Sequence, residues 1–333
     1  FYIYEEEFTA YGRRMKIKGL IGRVRLEPFE NKVVLPHEET LSKAKNDRLA
    51  LMEATHCNFS QIYSLYHDDT QMVTSRLSAL ADRAPEVEFS GDDGIIHRLW
   101  TVTDPAETAA LSAAFEGKQL FIADGHHRYE TALNFHRAHP EFPEAQDVMM
   151  MLVDMADDGL CVFPTHRLVK NLEHFDLDAV LNRCEAHFSI TPLAPEAAVE
   201  TALSGKTSAL AFVTKDRRFL LELRDTEALR AALPDKSEAY RSLDVALLHT
   251  LLLEPVFGID KANMMQQINL EYTRDEAFAL ESVLSGRCDC AFFLNPTRVD
   301  QIQGVSLAGE KMPQKSTYFY PKLITGLVMN QFA

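Results

Sequence analysis

The sequence predicts an α+β protein, a mixed α/β chain whose strands form a mixed sheet in a first domain and recur in a second α/β unit. Three observations predict it. Stretches with a two-residue apolar period, such as "MKIKGLIGRVRLEPF", alternate with amphipathic helical stretches such as "QMVTSRLSALADRAP". The texture changes near Asp176, where a new series of helix, hairpin and apolar helix begins. The chain's 333 residues, 46% of them apolar, suffice for a sizeable core and favour about two domains over one. The expected division is residues 1–155 and 156–333, with the segment 309–322 returning to a site in the first domain.

In order along the chain, "MKIKGLIGRVRLEPF" alternates as a half-buried strand, and "NKVVLPHEETLSKAKNDRLALMEAT" passes from a short strand to a helix starting near Lys43. "SQIYSLYHDD" is a strand ending in acids, and "QMVTSRLSALADRAP" is a helix. "VEFSGDDGIIHRLWTVTD" is a hairpin turning at Asp93–Gly94. A helix from Pro105 to about Glu116 precedes the strand "QLFIAD" and the helix "RYETALNFHRAHP". The apolar run "DVMMMLVDM" is a buried strand, and Pro164 with His166–Arg167 interrupts "LCVFPTHRLVKNL". The second unit continues with the helix in "DLDAVLNRCEAHFSITPL", the hairpin "SALAFVTKDRRFLLELRD", the long apolar helix "SLDVALLHTLLLEPVFGI" and the strand "DCAFFLNPT".

A formal charge of −15 argues against broad nucleic-acid binding, since grip on phosphate backbones comes from clustered Lys and Arg. No apolar stretch reaches the ~18 residues of a membrane span, and no cleavable leader precedes the first strand, so a cytoplasmic protein is expected. The opening at Phe1 without methionine is read as a start inside a longer protein. Five scattered cysteines are expected to be reduced thiols, since Cys288 and Cys290 stand too close for a zinc knuckle.

Three stretches can carry chemistry. In "FIADGHHRYETAL" a strand ends at Asp124, Gly125 permits a conformation a side chain would block, and a helix starts around His127 or Arg128. Its first N–H groups with Arg128 make an anion site suited to phosphate. The alternative makes Asp124 an N-cap and His126 and His127 surface residues. In "LPHEETLSKAKNDRL" a glutamate at the strand end, beside His37 and followed by Arg48, suits a general base, or else a solvated acidic cluster at a helix entry. In "GEKMPQKSTYFYPK" Lys315 and Ser316 among aromatics suit a phosphorylated ligand, or else a packed terminal strand. His97–Arg98 and His166–Arg167 read as strand-edge pairs or as parts of an anion-lined cleft. A metal hydrolase could draw on His37, Glu38, Asp124, His126 and His127, but no histidines stand at the i, i+4 spacing of a helical zinc pair.

Five stretches together, "LPHEETLSKAKNDRL", "LFIADGHHRYETA", "THRLVKNL", "DVALLHTLLLEPVFGI" and "GEKMPQKSTYFYPKLITGLV", resemble the family called domain of unknown function 1015 over essentially the whole chain. The turn "ADGHHR" is similar to the turn of ParB and sulfiredoxin folds that holds nucleotide phosphates. It also resembles the Asp-Gly-His-His-Arg turn of ParB-like free L-serine kinases, in which an upstream glutamate acts on the serine hydroxyl. The likeness to ParB and sulfiredoxin stops near residue 156.

The resemblance implies a ParB/sulfiredoxin-like first domain and a nucleotide-dependent phosphotransferase acting on a small hydroxy metabolite, free L-serine being the implied acceptor. Glu38 is the implied base, with Asp124, His126 and His127 as catalytic neighbours, and Gly125, Arg128, Lys315 and Ser316 hold phosphate. ATP or ADP is the implied cofactor, with Mg²⁺ near Asp124, and His37, Arg48, His166 and Arg167 line the substrate pocket. The alternative is a ParB-like regulator that binds nucleotide without transfer.

Overall fold

The structure is a computed structural model that describes residues 1–40 and 42–332. The chain divides into two compact units, Phe1–Cys161 with Phe319–Ala333, and Val162–Tyr318.

The first unit is built on an eight-stranded mixed sheet. Its strands are β1 (Tyr2–Ala10), β2 (Arg13–Arg25), β3 (Val34–Leu35), β5 (Ile62–Tyr66), β6 (Val87–Ser90), β7 (Ile96–Thr101), β8 (Leu120–Asp124) and β9 (Asp147–Asp154), and the short β4 (Cys57–Asn58) pairs apart from it with Asn330–Gln331. The order across the sheet is β3-β8-β5-β9-β2-β1-β7-β6. The parallel pairs β3/β8 and β5/β9 give the sheet its mixed character. β1 turns into β2 through Tyr11 and Gly12, both at positive φ (50° and 69°), the backbone that a two-residue hairpin needs to follow strand twist.

Four helices cross between these strands: α1 (Ser42–Thr55), α2 (Met72–Leu80), α3 (Pro105–Ala114) and α4 (His126–Ala138). The core joins Ile3, Leu20, Ile62, Ile122 and Met150 of the sheet to Leu111, Tyr129 and Phe135 of the helices. α3 stops at Ala114, short of Glu116, and carries a well-formed cap in which the Asp104 side chain accepts from the N–H groups of Ala106 and Glu107.

The second unit carries a six-stranded sheet in the order Phe188–Leu193, Arg218–Leu223, Ala209–Thr214, Cys290–Phe293, His166–Val169, Leu270–Thr273. Its core includes Leu168, Val199, Leu203, Val213, Val283 and Phe293. The long apolar helix is broken into Asp244–Leu248, a π-helical turn His249–Leu253 and Glu254–Phe257. Pro255 lacks the N–H that a continuous α-helix would use, and one wide turn absorbs the gap.

Two expectations need correction. His166–Arg167 is no strand-edge pair: its strand lies between Leu270–Thr273 and Cys290–Phe293, and the two residues are 5% and 1% exposed. His97–Arg98 likewise sits on β7, between β1 and β6. Pattern alone fails here because the charges are satisfied by partners distant in sequence.

One such charge gives a pH test. Glu6 is fully buried on β1, and its Oε1 accepts from the Tyr4 hydroxyl at 2.9 Å; that hydroxyl lies 2.7 Å from His97 Nδ1. Burial pushes the Glu6 carboxyl up to about 7, against the Tyr4 hydrogen bond, which pulls it down. A carboxyl raised above its ordinary 4.5 contributes stability below that value and loses it as pH rises through about 7. Glu6→Gln mimics the protonated form. Relative to this variant, the parent chain is expected to lose roughly 2–3 kcal/mol between pH 4.5 and 8 in urea unfolding, and parallel profiles would contradict the assignment.

Candidate functional site

The site follows from the strand order. β3 and β8 run parallel as neighbours, Val34 opposite Leu120 and Leu35 opposite Phe121, so both end at the same edge of the sheet. β3 leads there into His37 and Glu38, and β8 into Gly125 and α4. β5 runs antiparallel to β8, so Ser60 and Gln61, just before β5, stand beside the same edge. Ligands of open α/β sheets characteristically bind outside the carboxyl ends of such strands.

α4 begins at His126, one or two residues earlier than the sequence predicts, with Gly125 as its N-cap at φ 103°. No side chain among the described residues caps the helix, so Asp124 is not its N-cap. Gly125 is required on two counts. The φ is a left-handed value that side chains disfavour, and a Cβ there would lie 2.9–3.1 Å from the Arg128 guanidinium.

Asp124 holds that guanidinium in place. Arg128 donates to Asp124 Oδ2 at 2.7 Å, to Ser60 Oγ at 2.9 Å and to the Gln61 carbonyl at 2.6 Å, while Lys322 pairs with Asp124 Oδ1. Burial alone would raise the Asp124 carboxyl, but Lys322 and Arg128 together hold it below the usual range. Burial lowers Arg128 against the pull of Asp124, with Arg48 adding repulsion. Arg48, on α1, forms no ion pair with any described residue and lines the same cavity.

Across the sheet edge, the His37 N–H donates to His126 Nε2 at 3.2 Å. That nitrogen therefore carries no proton, which leaves the ring proton on Nδ1, 3.5 Å from Glu38 Oε2. The two imidazoles meet edge to face at 4.5 Å. The buried His126 ring thus receives one backbone N–H and faces a carboxylate. The Glu38 side chain is 38% exposed and lines the cavity, whereas Glu39 is exposed and does not line it. On α4, Glu130 accepts from Thr40 Oγ1 at 2.7 Å and Lys45 Nζ at 2.9 Å, which ties the Glu38 loop and α1 to this helix.

These groups surround a cavity of about 580 Å³. Its lining includes the charged or polar Glu38, Arg48, Asp124, His127 and Arg128 and the apolar Leu51, Met52, Phe59, Ile62 and Val148. The volume falls within the roughly 300–1,000 Å³ of ligand pockets. Both Asp124 carboxylate oxygens are ion-paired, one to Arg128 and one to Lys322, and no group of three metal-ligating side chains exists among the described residues.

His166, Arg167, Lys315 and Ser316 belong to the second unit. There the Arg167 guanidinium donates to the carbonyls of Thr165, Gln314 (3.3 Å) and Lys315 (3.0 Å) and lies 5.5 Å from the Tyr272 ring. Lys315 takes φ 57°, and the Ser316 carbonyl accepts from Thr297 Oγ1 at 2.6 Å. Sequence reasoning missed Ser60, Gln61, Lys322, Glu130 and Thr131. Lys322 closes the stretch "GEKMPQKSTYFYPK" and was within reach as a lysine beside a marked aromatic run; Ser60 and Gln61 carry no comparable signal.

The sequence profile of a family described as "Protein of unknown function (DUF1015)" matches residues 1–246. No curated protein matches. Among solved structures, the chain is similar to a free serine kinase variant in complex with AMP, at 15% identity and TM-score 0.46, over 91% of this chain and 87% of that one. A conserved hypothetical protein from Pyrococcus furiosus stands at 15% identity and TM-score 0.43, over 92% and 94% of the two chains. SbnI with a C-terminal truncation, from Staphylococcus aureus, stands at 11% and 0.46, over 92% and 85%. At these scores the likeness assigns no residue and no ligand to this chain.

Proposed function

This chain belongs to the DUF1015 family, whose description names no reaction, and from the geometry of its site we propose that it is a nucleotide-dependent phosphotransferase acting on a small hydroxy metabolite, with free L-serine as acceptor and ATP or ADP as donor. The observation that carries the reading is the meeting, around one cavity, of the Glu38 carboxylate, 3.5 Å from His126 Nδ1, and a helix start flanked by two arginines. The choice of serine follows the likeness of the Asp124–Arg128 turn to that of free serine kinases.

In this reading, the first turn of α4, with Arg48 and Arg128, holds the phosphates, and His127 contacts the transferring oxygens. Phosphoryl transfer depends mainly on such positioning and charge stabilisation. The acceptor hydroxyl oxygen bonds to the terminal phosphorus as the bond from that phosphorus to the bridging anhydride oxygen breaks. Glu38 takes the hydroxyl proton and passes it to water, leaving a phosphomonoester and a nucleotide shorter by one phosphoryl group.

A second reading, a nucleotide-binding regulator without transfer, is favoured by one feature: Asp124, ion-paired on both oxygens, offers no open carboxylate for the metal that phosphoryl transfer commonly uses. The two readings part in one assay. Nucleotide consumption with and without L-serine is expected to rise with the acceptor; binding without acceptor-dependent consumption supports the regulator.

A further inference from the structure

On α4, Thr131 follows His127 by four residues and Arg128 by three, which places it on their face, about 5 Å further from the helix start. It lines the cavity and is only 2% exposed, and its Oγ1 has no hydrogen-bond partner among the described residues. A threonine hydroxyl inside a helix commonly settles on the carbonyl four residues back, and this one does not. The side chains of Leu51, Ile62 and Val148, which line the same cavity, carry no group that could accept or donate a hydrogen bond to it. A buried hydroxyl without a partner is unfavourable, and valine would fill the same space without that penalty.

We propose that Thr131 reads the nucleoside half of the ligand: with the phosphates at the first turn of α4, its hydroxyl hydrogen-bonds a sugar hydroxyl or ring nitrogen lying against the apolar residues of the cavity. This rests on the nucleotide reading of the cavity. Threonine in a helix occupies two χ1 rotamers, so its hydroxyl can be re-aimed toward a ligand without backbone movement.

The test is calorimetric titration of ADP and of inorganic pyrophosphate into the parent chain, Thr131→Val and Thr131→Ser, with thermal unfolding of each in the absence of ligand. Thr131→Val is expected to weaken ADP about tenfold, as loss of one hydrogen bond to a ligand does, and to leave pyrophosphate within about twofold. Thr131→Ser restores ADP to within about threefold, and the ligand-free valine variant melts no lower than the parent. Equal loss of ADP and pyrophosphate, or ADP binding indifferent to valine while the parent binds normally, overturns the role of Thr131 alone. A parent chain that binds pyrophosphate but not ADP overturns the nucleotide reading and this inference with it.

Discussion

Glu38→Gln is expected to lower phosphate transfer by about 10²–10⁴-fold while nucleotide affinity stays within about threefold. The amide keeps the shape of the carboxylate and an oxygen facing His126 Nδ1, now 3.5 Å from Glu38 Oε2, but it cannot take a proton. Binding survives because the phosphates are assigned to the α4 start and its arginines and not to Glu38. Steady-state kinetics with calorimetry of the same variant separates the outcomes: loss of both rate and affinity would make Glu38 a structural residue of the β3 end.

The second large effect is expected at Arg128, where even lysine is a severe change. The guanidinium serves three acceptors in three directions, Asp124, Ser60 and the Gln61 carbonyl, and so joins the end of β8 to the start of β5. One ammonium on a flexible stem cannot reproduce that planar fork. Arg128→Lys is expected to lower stability by about 1–3 kcal/mol, by analogy with the loss of partly buried hydrogen bonds, and to weaken nucleotide at least ~10-fold. Urea unfolding with ADP titration checks both, and a variant with unchanged stability and affinity would contradict the arrangement around Asp124.

Much of the fold was legible in local pattern. Asp124–Gly125 marks a strand-to-helix turn because glycine alone tolerates the φ of 103° there, and the alternation in "MKIKGLIGRVRLEPF" marks β2 because one of its faces is buried. The site was legible as a set of stretches but not as a geometry. Glu38 meets His126 because β3 and β8 are parallel neighbours, a pairing that no local window contains. Lys322 reaches Asp124 across 198 positions of sequence. Arg167 misled for the same reason: a charged residue in an apolar strand looks like an edge residue until the carbonyls that satisfy it, distant in sequence, are known. The break in the long apolar helix was foreshadowed by Pro255, but the turn that accommodates it depends on packing.

The most direct measurement of the phosphate-holding role of the α4 start is phosphorus NMR of the protein with ATP or ADP and L-serine, divalent metal included. A phosphomonoester signal growing at the rate at which terminal nucleotide phosphate is lost, and absent without serine, is the expected result. Nucleotide resonances unchanged in position, width and intensity by the protein, with no new ester, would contradict both transfer and the assignment of Gly125–Arg128 as a phosphate site.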